Sequence, residues 1–304
     1  MSATRGAATA TAESAGRVAA PRAAWRAGRF APSLDRPRLL GILNVTPDSF
    51  SDGGRYDTLD AALARAEQLV AEGADALDVG GESTRPGAQS VDAAAERARV
   101  VPVIAALVRR FPEVPVTIDT VKDDVARAAL DAGACAVNDV SGLRIDPSIA
   151  ATVARANAGL ILMHSRGGVG EMASYDLATY GEDPVGEIVH ELATSLAVAR
   201  DAGVALDAIL LDPGLGFSKR TEHSVACLRE LDRFRALGVP VLIGPSRKRF
   251  VGDLGGGATP AERLEGTIAA CLYAVRQGAA WLRVHDVGPV RKALDVALAL
   301  EADA

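Results

Sequence analysis

The sequence contains few cysteines and no excess of positive charge. Its three cysteines, in a chain of 304 residues, are widely spaced and odd in number. This pattern fits neither a disulfide framework nor a zinc site, and it favours a reducing compartment, the cytoplasm. The net charge of -6 leaves no general basic field, so we expect no nucleic acid among the partners. No apolar run reaches the roughly 18 residues that a membrane helix requires, so we expect no membrane association either.

The first 36 residues nearly lack acidic side chains. They are rich in Ala and Arg, and Glu13 and Asp35 are their only acids. Because the segment has low periodicity, we expect residues 1–36 to form a disordered or loosely packed N-terminal extension. A transit peptide is the alternative, since it would also be rich in Arg and poor in acids.

The rest of the chain, residues 37–304, alternates short apolar segments with amphipathic ones. Apolar runs that predict strands begin near residue 40 and recur at 76–79, 116–119, 135–138, 160–164, 209–212, 241–244 and 281–284. Each is followed by a helical pattern bounded by Gly or Pro. Nearly continuous apolar strands indicate a parallel sheet covered by helices. Eight such units predict an α/β fold, a (β/α)8 TIM barrel in a single domain. A doubly wound open sheet is the alternative.

Polar residues follow the predicted strands, at the end of a barrel where active sites lie. Asp119, Asn138 and Asp212 could accept hydrogen bonds from the N–H groups of a flat heterocycle. Either Asp could instead be an N-cap of the next helix. Other candidates at strand ends are Glu82, Thr84, Arg85, His164, Ser246 and Arg247. His164 is more typical of a core or supporting histidine than of a zinc ligand.

A cationic group follows the last two predicted strands. Lys248, Arg283 and His285 suit a pyrophosphate or another anion; surface solubility is the alternative, but Arg-Val-His at a strand end fits it poorly. Asn44 ends the first strand, and its amide oxygen could be the single protein ligand of Mg²⁺ beside substrate phosphates. Nucleophilic catalysis is not expected, because the sequence has no Gly-x-Ser-x-Gly elbow and no cysteine at a strand end beside a histidine.

Several motifs together resemble those of the dihydropteroate synthases, a family of pterin-binding TIM barrels. Residues 44–54 (NVTPDSFSDGG) and 78–87 (DVGGESTRPG) resemble the two substrate loops of that family. Residues 212–217 (DPGLGF), 246–248 (SRK) and 283–286 (RVHD) resemble its remaining motifs in the same order. The likeness spans residues 38–298. It implies a transferase that joins 6-hydroxymethyl-7,8-dihydropterin diphosphate to 4-aminobenzoate and releases pyrophosphate.

The resemblance also implies a role for each matching residue. The pterin would be bound by Asp119, Asn138, Asp212, Lys248 and Arg283. The aminobenzoate pocket would be formed by Phe50, Thr84, Arg85, Pro86, Phe217 and Ser246. Catalysis would involve Asp48, Lys248, Arg283 and His285, with Mg²⁺ on Asn44. A homodimer is implied as well.

The chain departs from the family pattern after two strands. It has Thr-Val-Lys-Asp at 120–123 and Ser-Arg-Gly-Gly at 165–168, which leaves the fine positioning of substrate open. Two other functions also stay open. One is a pterin-dependent methyltransferase domain, which shares the barrel and the Asp/Asn/Asp group but would not need the loop at residues 44–54. The other is a catalytically silent pterin-binding paralogue.

Overall fold

The computed structural model describes residues 24–46, 55–84 and 90–301, and within them eight strands form one parallel sheet. The order is β6-β5-β4-β3-β2-β1-β8-β7. A parallel bridge between Leu211 and Val241 joins the two outer strands, so the barrel is nearly closed. The strands are β1 (Arg38–Asn44), β2 (Ala76–Gly80), β3 (Val116–Asp119), β4 (Ala136–Asp139), β5 (Gly159–Met163), β6 (Ile209–Asp212), β7 (Leu242–Ile243) and β8 (Trp281–Val284). The predicted barrel is confirmed.

The helices pack around this sheet, and their apolar sides and the outer faces of the strands form the main core. They are α1 (Arg55–Ala71), α2 (Ala93–Arg110), α3 (Asp123–Asp131), α4 (Ser148–Ala156), α5 (Pro184–Asp201), α6 (Thr221–Arg229), α7 (Leu231–Arg235), α8 (Arg249–Leu254), α9 (Leu264–Arg276) and α10 (Val287–Glu301).

Two helical segments differ from the sequence expectation. Where the sequence predicts one helical segment after the sixth strand there are two helices, because the backbone of Glu230 leaves helical geometry between α6 and α7. In the segment between β7 and β8, α9 begins only at Leu264. Thr259 and Glu262 form a capping box that closes residues 260–262 into a separate 3₁₀ turn before α9.

The expectation for residues 1–36 is corrected in its last part, residues 24–36. Trp25 is fully buried at the N-terminal end of the barrel, where its ring meets Trp281 edge to face at 5.3 Å. Its indole N–H donates to the carbonyl of Ala208 at 2.9 Å. Residues 24–36 therefore pack onto the barrel, whereas residues 1–23 lie outside the described part. Among the described helices, none is long and apolar enough to cross a membrane.

Candidate active site

Four neighbouring strands place residues at or next to their carboxyl ends at one level of the barrel rim. The strand register pairs Asn44 with Gly80, Gly80 with Asp119, and Asp119 with Asn138. The side chains of this row therefore lie side by side at the carboxyl ends of β1 to β4, which is the active-site end of such barrels. Because Gly80 has no side chain, it leaves space between the carboxamide of Asn44 and the carboxylate of Asp119.

Asp78, two residues before Gly80 on β2, organises the site, although it was not among the site residues predicted from the sequence. Its carboxylate is fully buried and accepts hydrogen bonds from Arg283 Nε at 2.6 Å, from Asn138 Nδ2 at 2.9 Å and from the Thr117 hydroxyl. Arg283 Nη2 also contacts Asp119 Oδ2 at 2.6 Å. The available signal was a single acid inside an otherwise apolar strand, because buried acids are rare unless they are paired.

The contact with Asp78 determines which atom Asn138 presents to the cleft. A carboxylate can only accept hydrogen bonds, so the amide nitrogen of Asn138 must face Asp78. The amide oxygen is then the atom of Asn138 that can accept a hydrogen bond from a ligand in the cleft, which this residue lines. Asn138 is therefore held as a hydrogen-bond acceptor, which suits a ligand edge that carries N–H groups.

The candidate pterin residues line a single cleft of about 360 Å³, a volume that includes the open solvent at its mouth. Its lining includes Thr84, Asp119, Asn138, Val140, Met163, Asp212, Leu215, Phe217, Gly244, Lys248 and Arg283. Polar groups thus form one part of the wall, and apolar side chains from the ends of β4, β5 and β6 form another. A flat ring with a polar edge and apolar faces matches this distribution.

Burial changes the proton affinities of the charged groups in the cleft. It raises the pKa of Asp119, although the positive charge of Arg283 opposes the shift. Burial also raises the pKa of Asp212, whose carboxylate accepts the Gly214 N–H at 2.7 Å. The pKa of Lys248 is lowered to about 7, by burial first and by Arg283 second. The ammonium of Lys248 lies 3.5 Å from the centre of the Phe217 ring, a cation–π contact that favours its protonated form.

His285 and Ser246 lie together on the neighbouring loops after β8 and β7. The hydroxyl of Ser246 accepts the backbone N–H of His285 at 3.2 Å and lies 3.0 Å from its Nδ1. Burial and Arg283 lower the pKa of His285 to about 3. His285 is therefore neutral at pH 7 and offers a hydrogen bond rather than the positive charge that the sequence suggested.

Several candidates do not contribute to the cleft. The carboxylate of Glu82 is occupied by the Lys122 ammonium at 2.8 Å and the Val91 N–H at 2.6 Å. Arg247 is exposed and forms a two-point ion pair with Asp286. His164 is buried and does not line the cleft. Four others, in the two substrate loops, lie outside the described residues: Asp48, Phe50, Arg85 and Pro86.

Asn44 is the candidate ligand for Mg²⁺, and its surroundings fit a weakly held ion. The space above Gly80 is flanked by Asn44 Oδ1 and Asp119 Oδ2, two hard oxygen atoms of the kind that Mg²⁺ prefers. Over the described ranges, no group of three or more His, Cys, Asp or Glu side chains could hold a metal. The residues thus fit an ion that takes its remaining ligands from substrate and water.

The fold and the cleft define a barrel enzyme that binds a flat heterocycle beside an anion. A family model described as pterin binding enzyme matches residues 40–285. A dihydropteroate synthase of Synechocystis is 44% identical over 265 residues, which cover 87% of this chain and 90% of that protein. The chain therefore belongs to the dihydropteroate synthase family of pterin-binding enzymes, which are transferases.

Solved structures agree with this assignment. The Xanthomonas albilineans dihydropteroate synthase with 4-aminobenzoic acid is 45% identical, with a TM-score of 0.84 over 92% of this chain and 99% of the other. The Burkholderia cenocepacia enzyme complexed with 7,8-dihydropteroate is 43% identical, with a TM-score of 0.83 over 93% and 98% of the two chains.

Proposed function

We propose that this chain joins 6-hydroxymethyl-7,8-dihydropterin diphosphate to 4-aminobenzoate, giving 7,8-dihydropteroate and pyrophosphate. The observation that carries the proposal is one cleft in which Asp119, Asn138 and Asp212 lie beside Lys248 and Arg283. Relatives of about the same length have been solved with 4-aminobenzoic acid and with 7,8-dihydropteroate, which supports both halves of the product as ligands here.

The pterin would lie deepest in the cleft. Asp212 and the amide oxygen of Asn138 would accept hydrogen bonds from the N–H groups of the ring. Arg283 would stack on the pterin face, since Asp78 and Asp119 hold its guanidinium from two sides. Lys248 would donate to the ring or to the leaving group, because a bound anion favours its protonated form.

The 4-aminobenzoate would lie nearer the mouth of the cleft. Phe217 would form one wall of its pocket, with Thr84 and Ser246 nearby. Phe50, Arg85 and Pro86 are proposed as the remaining parts of this pocket, and Asp48 as a residue of the loop that closes over it.

The reaction needs a good leaving group more than a strong base. The C–O bond to the diphosphate breaks, the amine nitrogen of 4-aminobenzoate forms a bond to the methylene carbon of the pterin, and the amine loses one proton to the released diphosphate. Lys248, Arg283 and the N–H of His285 would stabilise the charge that develops on the diphosphate. Mg²⁺ bound at Asn44 would supply further positive charge to the same oxygens. Because the pterin can delocalise positive charge at its methylene, we propose a dissociative route with water excluded.

The proposal includes a homodimer and a cytoplasmic location. All three cysteines are buried free thiols, which supports a reducing compartment.

The test of function is a coupled assay in which pyrophosphate appears only when pterin diphosphate, 4-aminobenzoate and Mg²⁺ are all present. Lys248→Met should reduce kcat/KM by at least about a hundredfold, whereas Lys292→Met, on the exposed side of α10, should not change it. Binding of pterin without pyrophosphate release would instead support the silent paralogue.

A further inference from the structure

A cluster of charged side chains lies behind Phe217, outside the cleft. Lys219 is fully buried and His164 is 4% exposed. The Lys219 ammonium lies 2.7 Å from His164 Nδ1, and His164 Nε2 lies 2.9 Å from Glu191 Oε2 on α5. Arg166 Nε approaches the other oxygen of Glu191 at 3.2 Å. Neither Lys219 nor His164 lines the cleft.

The contacts of His164 determine where its proton lies. An ammonium group can only donate, so His164 Nδ1 must accept from Lys219. The ring proton is then on Nε2, which donates to the carboxylate of Glu191. Burial and the charge of Lys219 lower the pKa of His164 to about 4, so the imidazole stays neutral at pH 7. The chain of hydrogen bonds therefore runs in one direction, from Lys219 through His164 to Glu191.

The same ammonium group fastens the loop that carries Phe217. Lys219 Nζ donates to the backbone carbonyl of Phe217 at 3.1 Å, and it lies 3.4 Å from that of His164. It thus connects the end of β5 to the loop after β6. Ser218, between the two residues, has a positive φ of 48° and accepts the Tyr180 hydroxyl at its carbonyl. The backbone of Phe217 is therefore set by a buried polar network and not by its ring alone.

We infer that Lys219, His164 and Glu191 form a positioning network for the aminobenzoate pocket. By holding the Phe217 carbonyl, the network places the ring that forms one wall of that pocket. The inference rests on the proposed function, and it identifies positioning residues rather than catalytic ones. Loss of the network should impair use of 4-aminobenzoate while leaving the deeper pterin site unchanged.

The kinetic test compares two substitutions of His164. His164→Leu removes both hydrogen bonds, whereas His164→Gln can still accept from Lys219 and donate to Glu191. We expect His164→Leu to raise the KM for 4-aminobenzoate at least about tenfold, because displacements of about 1 Å at a reacting partner have effects of that order or larger. The KM for the pterin diphosphate should change less than about twofold, and His164→Gln should restore most of the loss. Equal rises in both KM values, or identical behaviour of Leu and Gln, would overturn the inference.

A second pair of variants covers a failure of His164→Leu to fold. Glu191→Ala removes the acceptor at the exposed end of the network. Glu187→Ala is the matched control, because Glu187 lies one turn earlier on α5 and contacts Arg166 without touching His164. We expect Glu191→Ala to raise the KM for 4-aminobenzoate and Glu187→Ala to leave it unchanged. The reverse order, or equal effects, would contradict the inference.

A spectroscopic measurement separates this inference from the proposed function. Nitrogen-15 NMR of labelled histidines should show His164 as the neutral Nε2–H form at pH 7 and a changed signal in Lys219→Met, with exposed His190 unchanged. A protonated Nδ1 in the wild-type protein would reject the network even if the enzyme is active. Absence of pyrophosphate release from the wild-type protein would reject the function even if the signal is as expected.

Discussion

Asp78→Asn is the substitution that tests the organisation of the pterin site most directly. It keeps the size of the side chain and removes its negative charge. The amide oxygen of the new residue can stay toward Arg283 and Asn138, with its nitrogen toward the hydroxyl of Thr117, which can accept. The geometry should therefore survive, while Arg283 loses one of the two charges that hold it.

The expected cost follows from the hydrogen bonds affected. Hydrogen bonds to a charged group contribute about 1.5–3 kcal/mol each, and those between neutral groups about 1 kcal/mol. After the substitution the bond from Arg283 still has one charged partner and the bond from Asn138 has none, so about 1–2 kcal/mol should be lost. Because these bonds orient two residues of the pterin site, we expect the loss to weaken pterin binding by about five- to thirtyfold. Asp78→Ala would leave two buried donors without a partner and should cost about 3–5 kcal/mol of the free energy of unfolding.

The assay is calorimetric binding of the pterin diphosphate, together with urea unfolding of each variant. Thr117→Val is the control, because Thr117 contacts the other oxygen of Asp78 and its loss leaves both bonds to Arg283 and Asn138 in place. We expect it to lower stability without a large change in pterin affinity. If Asp78→Asn bound the pterin within twofold of wild type, Asp78 would have no role in orienting the site.

Three further predictions concern single groups. Binding of the pterin diphosphate near pH 7.5 should take up protons, because an anion raises the lowered pKa of Lys248. Calorimetric titrations in buffers of different ionisation enthalpy measure the proton uptake, and Lys248→Met should abolish the uptake. Trp25→Ala should lower the free energy of unfolding by about 3–5 kcal/mol, and an unchanged urea midpoint would contradict the packing of residues 24–36. The pKa of His164 is about 4 in the folded protein against 6.5 in the unfolded chain. The free energy of unfolding should therefore fall by up to about 3 kcal/mol as pH drops from 6.5 to 4. Urea unfolding of His164→Gln should show a smaller loss of stability over the same pH range.

The fold could be predicted because its signals are local. Each buried strand is a short apolar run bounded by turn residues, so the repeating pattern was enough to find all eight. The packing of Trp25 could not be found this way. Its environment is built by Trp281 and the carbonyl of Ala208, which are distant in the chain and come together only when the barrel closes.

The site was predictable where function coincides with the end of a strand. Asp119, Asn138 and Asp212 stand at such ends, and the register brings the first two side by side. Asp78 lies inside a strand, and its partner Arg283 is 205 positions away. The one local signal, a single acid in an apolar strand, indicates that a partner exists but not which residue it is, and Lys219 looks like an ordinary loop lysine.

The charges of the cleft also explain why a metal ion should matter for the anion. Asp78, Asp119 and Asp212 face two cations, Lys248 and Arg283, and Arg283 is already paired with two of the acids. His285 adds no charge at pH 7, because its pKa is about 3. A diphosphate therefore enters a cleft in which the acids outnumber the cations, so the protein supplies no net positive charge there.

Inorganic pyrophosphate should consequently bind much more tightly with Mg²⁺ than without it. We expect Asn44→Leu to reduce the affinity measured with Mg²⁺ by at least about tenfold, the loss of one oxygen ligand, and to leave the affinity measured in a chelator unchanged. Asn44→Asp, which keeps an oxygen at the same place, should retain the dependence on Mg²⁺. If the wild-type protein bound pyrophosphate equally well with and without Mg²⁺, the protein cations alone would account for pyrophosphate binding. Asn44 would then have no role as a metal ligand.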